Sequence, residues 1–240
     1  MARKIENVYF NQILISCLSF LVVFGALLYT AFYSTPSKAS VGANFPVIFS
    51  DLFSTNKGWT KTTSTGSSAS IINGEYSLRN NIYNKETRVL APVLATSIPN
   101  IYRVKVSARR VTGTSMEQGI IFQYIASNKF NLFKINPSTK TYSLMIYDGT
   151  DGWKTLKSGS SSYIASGSNQ LEILHFQSDD RVKAYINNYQ VFDFKHKDIF
   201  KGGKVGLFMK KKDNNTATAD ARFDNFYLMH YVDMGSPPQP

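Results

Sequence analysis

The sequence predicts an all-β domain that follows a single membrane-spanning helix. One long uncharged, apolar segment lies near the N-terminus, and about ten short segments of alternating apolar and polar residues follow it. Turn-forming residues separate these segments, and no long stretch of helical period occurs after residue 39. This pattern indicates antiparallel sheets that pack as a sandwich or close as a barrel.

The composition narrows the class of protein. The chain has 240 residues, of which 14% are aromatic and 18% are charged, and its formal net charge is +11. The aromatic content and the moderate charge exclude a disordered or collagen-like chain. A single cysteine excludes an intramolecular disulfide framework and a cysteine-based zinc cluster. The sequence therefore describes a folded, basic protein.

The apolar segment at residues 13–32 is predicted to be an uncleaved membrane anchor. A helix of about 20 residues spans roughly 30 Å, which is the thickness of the hydrocarbon core of a bilayer. Aromatic residues flank both ends, and Pro36 follows the second flank. Two alternatives are a cleaved signal peptide, whose apolar core is usually shorter, and a lipoprotein cleaved before Cys17. In a lipoprotein the apolar stretch would precede the cysteine, whereas here most of it follows.

The flanking charges predict the topology. Arg3 and Lys4 precede the anchor, so the N-terminus is expected in the cytoplasm and the larger part of the chain in the periplasm, a lumen or the extracellular space. The predicted segments are the N-terminus and helix at 1–33, a linker at 34–43, a β-sandwich at 44–232 and a disordered proline-rich tail at 233–240. The lipid bilayer is thus one predicted partner.

Alternation and turn residues predict the strands. Tyr102, Val104 and Val106 alternate with basic and polar residues, which predicts a half-buried strand with a basic outer face. Asn187-Asn188 predicts a tight hairpin, because asparagine tolerates positive φ. Further strands are predicted at residues 47–53, 76–78, 119–124, 130–135, 142–147, 170–173, 182–186, 189–192, 205–209 and 223–228. Loops are predicted at 60–70 and 158–168.

The motifs between residues 49 and 228 follow one another in a characteristic order. They are SDLFSTNKGW, NGEYSL, SARR, GIIFQY, FNLFKI, YSLMIYDGTDGWKTL, GSNQLEIL, VKAYINNYQVFDF, GGKVGLFM and ARFDNFYL. This order resembles that of the concanavalin A-like lectin/glucanase superfamily, in its laminin-G-like branch. The resemblance implies a two-sheet jelly roll. It also implies that the core contains Phe53, Trp59, Tyr76, Trp153, Phe223 and Phe226.

The glucanases of that superfamily require a test for catalytic carboxylates. Retaining glucanases that resemble this fold carry Glu-x-Asp-x-Glu on one strand, which places their carboxyl groups on one face about 5 Å apart. Glu75, Glu86, Glu117 and Glu172 are not followed by an aspartate two residues later. The pair Asp179-Asp180 is more typical of a turn. The sequence therefore predicts a protein that is not an enzyme.

The sequence contains one candidate metal site. Laminin-G-like domains often bind Ca²⁺ at a sandwich rim, and Asp148 and Asp151 would supply its hard oxygen ligands. The same segment also suits a hairpin turn, and two carboxylates alone make a poor cage. No cofactor is therefore predicted, with Ca²⁺ as the alternative. The histidines lack the spacing of metal ligands, and His175 is expected to be a buried residue with a hydrogen-bond partner.

Two groups of basic residues form the candidate binding surface. The first group contains Lys195, Lys197, Lys201, Lys204, Lys210, Lys211 and Lys212, and the second contains Arg103, Lys105 and Arg109. Such groups attract acidic polysaccharides, lipid headgroups or acidic proteins. The alternative is a solvated surface that keeps a basic protein soluble. Nucleic acid is not an expected partner outside the cytoplasm.

The predicted function is recognition without catalysis. The sequence predicts a membrane-anchored domain that binds carbohydrate or an anionic glycan outside the cytoplasm, on the basis of the resemblance and the charge. The alternative is a single-span accessory subunit of a larger membrane complex. In that case the sandwich would pack on the ectodomains of acidic partner proteins.

Overall fold

The computed structural model describes residues 45–232, which form a sandwich of two antiparallel sheets. The strands are β1 (Val47–Asp51), β2 (Thr62–Ser64), β3 (Ser67–Ile72), β4 (Glu75–Asn80), β5 (Glu86–Leu90), β6 (Ile101–Thr112), β7 (Met116–Ala126), β8 (Lys129–Asn136), β9 (Thr141–Asp148), β10 (Gly152–Ser160), β11 (Ser168–Phe176), β12 (Arg181–Ile186), β13 (Tyr189–Lys195), β14 (Lys204–Lys211) and β15 (Ala219–His230). Short 3-10 helices lie at Ala95–Ser97 and Gln177–Asp179. The predicted anchor at 13–32 lies outside the described residues, and no helix within 45–232 has the length and apolarity needed to cross a membrane.

The first sheet has nine strands and the second has six. The nine-stranded sheet has the order β13-β12-β11-β6-β15-β4-β3-β2, and β1 also pairs with β15. The six-stranded sheet has the order β10-β9-β8-β7-β14-β5. The predicted two-sheet sandwich is therefore confirmed.

Along the strands of both sheets, every second side chain points into the space between the sheets. These side chains form the main core. Tyr102, Val104 and Val106 of β6 are buried, while their neighbours in the strand are partly exposed. Ile120 and Phe122 of β7 face them from the six-stranded sheet. The hairpin between β12 and β13 is also confirmed, because Asn187 and Asn188 adopt φ values of 51° and 70°.

The prediction of a loop at residues 60–70 is wrong. This segment contains β2 and most of β3, which pair antiparallel in a hairpin at the edge of the nine-stranded sheet. Its serine and threonine residues suit a partly solvated edge strand, where no apolar alternation is required. The loop predicted at 158–168 is shorter than expected, since β10 continues to Ser160. The strands β5 and β10 were not predicted, because their exposed, charged residues obscure the alternation.

Five of the six aromatic residues predicted in the core are buried there, and Trp153 is not. Phe53, Trp59, Tyr76, Phe223 and Phe226 are each at most 2% exposed and belong to the main core. Trp153 is only partly buried and packs on a separate cluster. It pairs with Tyr147 of β9, and this position faces away from the nine-stranded sheet.

The first and last described residues lie at the same end of the sandwich. The backbone N–H of His230 donates to the carbonyl of Pro46, and the rings of Phe45 and Tyr231 lie 5.3 Å apart. We call this the terminal end, and the opposite one the far end. The terminal end also carries the connections at 127–128, 149–151, 177–180 and 196–203. The far end carries those at 65–66, 81–85, 113–115, 137–140, 161–167, 187–188 and 212–218.

Candidate functional site

Strand β14 separates the seven lysines that were predicted to form a binding surface. Its eight residues are extended at about 3.3 Å each, so Lys204 and Lys211 lie roughly 23 Å apart. The terminal end carries Lys195, Lys197, Lys201 and Lys204, and the far end carries Lys210, Lys211 and Lys212. Lys201 forms an ion pair with Asp180 at 2.9 Å. The run in sequence is therefore not one patch in space.

Lys211 is buried, which corrects its expected place on the surface. The strand continues through this residue, so alternation turns its side chain inward and leaves it 1% exposed. Its ammonium donates to the carbonyl of Asp213 and lies 3.1 Å from the Asp213 carboxylate. Burial would raise the pKa of Asp213, but hydrogen bonds from the Ser115 backbone N–H, the Thr216 hydroxyl and Lys211 hold it well below its usual range. Lys211 thus anchors a loop.

The second basic group lies on the outer face of the nine-stranded sheet and is paired there. Arg103 contacts the carboxylate of Glu172 at 2.5 Å, and Lys105 lies opposite Glu172 in the register. Arg109 makes a bidentate contact with Glu75, and this hydrogen bonding raises the pKa of Arg109. The positive charge expected on this face is therefore largely balanced by carboxylates.

The four glutamates considered for catalysis are each engaged by a basic residue. The pairs are Glu75–Arg109, Glu86–Lys210, Glu117–Lys134 and Glu172–Arg103. The pair Asp179-Asp180 lies in the connection between β11 and β12, where Asp179 ends a short 3-10 helix and Asp180 follows it with a φ of 50°. Glycoside hydrolysis needs one protonated acid and a second carboxylate close to it. The four glutamates lie instead on four different strands, β4, β5, β7 and β11.

His175 lies in the core between the two sheets. Its Nδ1 lies 3.3 Å from Nε2 of Gln123, which also donates to the hydroxyl of Tyr102 at 3.1 Å. Burial lowers the pKa of His175 to about 4. The prediction of a buried histidine with a hydrogen-bond partner is confirmed.

The proposed calcium ligands lie in the hairpin turn between β9 and β10. The Asp148 carboxylate accepts a hydrogen bond from the backbone N–H of Thr150 at 3.1 Å. A cavity of about 280 Å³ lies beside the turn. Its lining includes Asp148, Asp151, Lys154, Asp198 and Phe200, and Lys154 pairs with Asp198. Within residues 45–232, no three His, Cys, Asp or Glu side chains are grouped as metal ligands. Calcium binding stays a prediction.

The outer face of the six-stranded sheet carries a hydrophobic cluster that was not predicted. Its fully buried members are Ile121, Phe130, Leu132 and Phe208, and Leu90, Tyr124, Tyr147 and Trp153 pack around them. Their strand neighbours Ile120, Phe133 and Leu207 belong to the main core. Alternation therefore places the second cluster on the face that points away from the nine-stranded sheet.

Three partly exposed aromatic side chains surround the ring of Phe130 on this face. Trp153, Tyr147 and Phe130 lie side by side on β10, β9 and β8. The ring centroids of Tyr147 and Trp153 are 4.9 Å apart, and Trp153 meets Phe130 edge-on at 5.5 Å. Tyr124 stacks on Phe130 at 5.7 Å, and the Arg88 guanidinium lies 4.8 Å from the Phe130 centroid. We call Tyr124, Phe130, Tyr147 and Trp153 the aromatic cluster.

An irregularity in β7 directs Tyr124 toward this cluster. The register with β8 shifts between Phe122 and Ala126, and Gln123 adopts a φ of 53°. Phe122 and Gln123 consequently both face the core, where Gln123 contacts His175 and Tyr102. Tyr124 then points outward. This is the usual effect of a β-bulge, which re-aims a side chain.

A cavity lined by polar side chains and by the apolar groups of Ile135 and Tyr142 lies on the same sheet nearer the far end. It has a volume of about 300 Å³. The side chains that line it include Glu117, Lys134, Asn136, Thr141, Ser143 and Ser158. Lys134 follows Phe130 by four residues of β8, which corresponds to about 13 Å along the strand. The sheet therefore offers apolar ring faces beside hydroxyl, amide and charged groups.

Comparisons with known proteins support the fold alone. No protein-family model matches the sequence, and no curated protein matches it. A carbohydrate-binding module, CBM66 from Bacillus subtilis, is 13% identical with a TM-score of 0.56, over 72% of this chain and 95% of that one. A B. subtilis protein of unknown function with a galectin-like fold is 10% identical with a TM-score of 0.60, over 80% and 99%. A Bacillus licheniformis β-glucanase is 14% identical with a TM-score of 0.53, over 80% and 98%. These similarities confirm a jelly-roll sandwich.

Proposed function

We propose that this protein is a non-catalytic carbohydrate-binding domain that holds a glycan against the outer face of its six-stranded sheet. The observation that carries the proposal is the aromatic cluster, in which Tyr124, Tyr147 and Trp153 remain partly exposed around Phe130. A sugar ring presents an apolar C–H face that packs on an aromatic ring, and hydroxyl groups that need hydrogen-bond partners. The polar cavity near Lys134 supplies such partners on the same sheet.

The arrangement of the four glutamates supports a domain without catalytic activity. Each of the four glutamates is held in an ion pair, on a different strand from the other three. The similarity to a carbohydrate-binding module favours binding, although a β-glucanase has the same kind of fold. Residues 39–240 contain 24 of the 27 lysine and arginine residues and 15 of the 16 acidic residues, a net charge of +9, which favours an anionic glycan through long-range attraction.

The sequence predictions about location and ions belong to this proposal. The anchor at residues 13–32 would tether the domain to a membrane outside the cytoplasm, and the laminin-G-like branch is the family that the motifs suggest. Binding would need no cofactor. If Ca²⁺ contributes through Asp148 and Asp151, chelation with EDTA will weaken glycan binding, and added calcium will restore it.

A glycan array probed with the detergent-solubilised full chain tests the proposal. We expect a signal for a defined class of glycan and no release of shorter products. For the best ligand, Trp153→Ala should weaken binding at least about tenfold, which corresponds to roughly 1.4 kcal/mol. Tyr189→Ala removes an exposed aromatic residue elsewhere and serves as the matched control.

Two results would contradict the proposal. One is glycan hydrolysis by the wild-type protein that a single Glu→Gln change abolishes. The other is glycan binding that Trp153→Ala leaves unchanged. A protein that binds no glycan but co-purifies with other membrane proteins would instead support the accessory-subunit alternative.

A further inference from the structure

A second polar cavity lies at the far end of the edge strands of the nine-stranded sheet. Its volume is about 290 Å³. Its lining includes Thr63, Gly66, Ser67, Ser68, Arg79 and Asn81. Hydroxyl and amide groups therefore predominate. Among the described residues that line it, Arg79 alone is charged.

The charge of Arg79 is not balanced by its neighbour. Its Nε lies 3.5 Å from the carboxylate of Asp220, and its side chain is 45% exposed. Asp220 is already engaged, because Arg222 donates to both of its oxygens at 2.9 Å and the Ser77 hydroxyl donates at 2.8 Å. Two guanidinium groups thus share one carboxylate. The terminal nitrogens of Arg79 make no hydrogen bond within the described part of the chain.

The wall of the cavity is held in place by its surroundings. The β2–β3 turn bonds to the next connection, since the backbone N–H of Asn81 donates to the carbonyl of Gly66 at 3.0 Å. The ammonium of Lys85 donates to the carbonyl of Thr65 at 2.7 Å. Gly66 has a φ of 84°, and a Cβ at this position would lie 2.3 Å from the Ile82 side chain. Two hydrogen bonds therefore join the turn to the connection at 81–85, and Lys85 adds positive charge beside it.

We infer that this cavity is a binding site for a saccharide unit that carries an oxyanion group, either a carboxylate or a sulfate. A guanidinium with free terminal N–H groups suits the two oxygens of such a group, and it binds them with directional, charge-assisted hydrogen bonds. The serine and threonine hydroxyls suit the hydroxyl groups of the sugar. The site belongs to the other sheet, so it is distinct from the aromatic cluster. The inference rests on the proposed glycan binding and assigns the recognition of an acidic group on the ligand to this second site.

Binding of three oligosaccharides of equal length to the full chain tests this site. The probes are an oligogalacturonate, a sulfated oligosaccharide and a neutral oligosaccharide, each titrated calorimetrically in detergent. We expect at least one anionic probe to bind, and Arg79→Gln to weaken that binding at least tenfold. The preferred anion identifies the group that is recognised. Two results would overturn the inference: equal binding of the anionic probe by wild type and Arg79→Gln, or binding of neither anionic probe by the wild type.

Two further variants separate this site from the rest of the molecule. Thr63→Trp fills the cavity from an exposed position without changing Arg79, so it should abolish the same binding even if Arg79→Gln perturbs the fold. Arg110→Gln removes another arginine near the far end and should have no effect. Trp153→Ala should weaken glycan binding at the aromatic cluster and leave the Arg79-dependent binding intact. If Trp153→Ala lost both the glycan binding at the aromatic cluster and the Arg79-dependent binding, the two sites would not be separate.

Discussion

The two outer faces of the sandwich differ in how their side chains are occupied. On the nine-stranded sheet, Arg103 and Arg109 are paired with glutamates. On the six-stranded sheet, the rings of Tyr147 and Trp153 each lie 5.5 Å from the ring of Phe130 and remain partly exposed. A charge that is balanced within the protein attracts a ligand weakly, whereas a partly exposed ring keeps a surface for contact. A basic strand face in the sequence is therefore a poorer guide to a binding surface than the aromatic residues of the opposite sheet.

The two tryptophans provide the largest expected contrast between core and surface. Trp59 is 2% exposed, and its ring lies 5.2–5.3 Å from the rings of Phe53, Tyr76 and Phe226. Trp59→Ala should lower the free energy of unfolding by about 3–5 kcal/mol, because it leaves a cavity among packed rings. Trp153→Ala should cost clearly less. Urea denaturation of both variants measures the difference. Equal costs would show that Trp153 has a structural role, which would weaken the proposed glycan site.

The lysines at the far end offer a similar contrast. Lys211→Ala leaves the buried carboxylate of Asp213 without its ammonium partner, so the free energy of unfolding should fall by about 3–5 kcal/mol. Lys212 is an adjacent lysine whose contact with Asn84 is exposed. Lys212→Ala should change stability by no more than about 0.5 kcal/mol. If denaturation midpoints show similar costs for both, Lys211 belongs to the solvated surface after all.

The strands were predictable where alternation was clear, and the sites were not. The alternation of Tyr102, Val104 and Val106 identifies β6, because one face of that strand is apolar and the other polar. In β9, Met145 and Tyr147 on the outer face are as apolar as Leu144 on the inner face, so the sequence does not show which of the two faces lies in the main core. Such a strand signals that both faces are covered or used. That signal was available, and it points to the aromatic cluster.

Charge was harder to interpret because the burial and pairing of a charged residue depend on where the strands run and on their order in the sheet. Lys211 bonds to Asp213 two residues away, but its burial depends on β14 continuing through it. Arg109 and Glu75 lie on strands β6 and β4, which β15 separates in the sheet. The net charge of a surface can therefore be derived from the positions of lysine and arginine in the sequence only when the order of the strands in the sheet is known.

His175 makes stability depend on pH from inside the core. Burial lowers the pKa of His175 to about 4, whereas the ordinary value is 6.5. Between these values the unfolded chain binds a proton more readily than the folded protein does. Stability is therefore complete above pH 6.5 and is lost as the pH falls through 4, by up to about 3 kcal/mol. In His175→Gln this part of the loss should disappear, whereas His196→Gln, at a more exposed site, should retain it. Urea midpoints measured between pH 4 and 7 provide the test.

The ion pair of Arg109 and Glu75 should have the smallest effect on stability and a larger one on binding. The Arg109 side chain is 43% exposed, so a double-mutant cycle of Arg109→Gln and Glu75→Gln should give a coupling below about 1 kcal/mol, which decreases further in high salt.

Glu75 also lies 3.8 Å from Arg222. Removing its charge leaves Asp220 as the neighbouring carboxylate beside Arg79, Arg109 and Arg222. Glu75→Gln should therefore increase association with a polyanion such as heparin at low salt, while Glu86→Gln on the other sheet provides the control. Unchanged heparin binding in Glu75→Gln would show that pairing does not determine how this face meets anionic ligands.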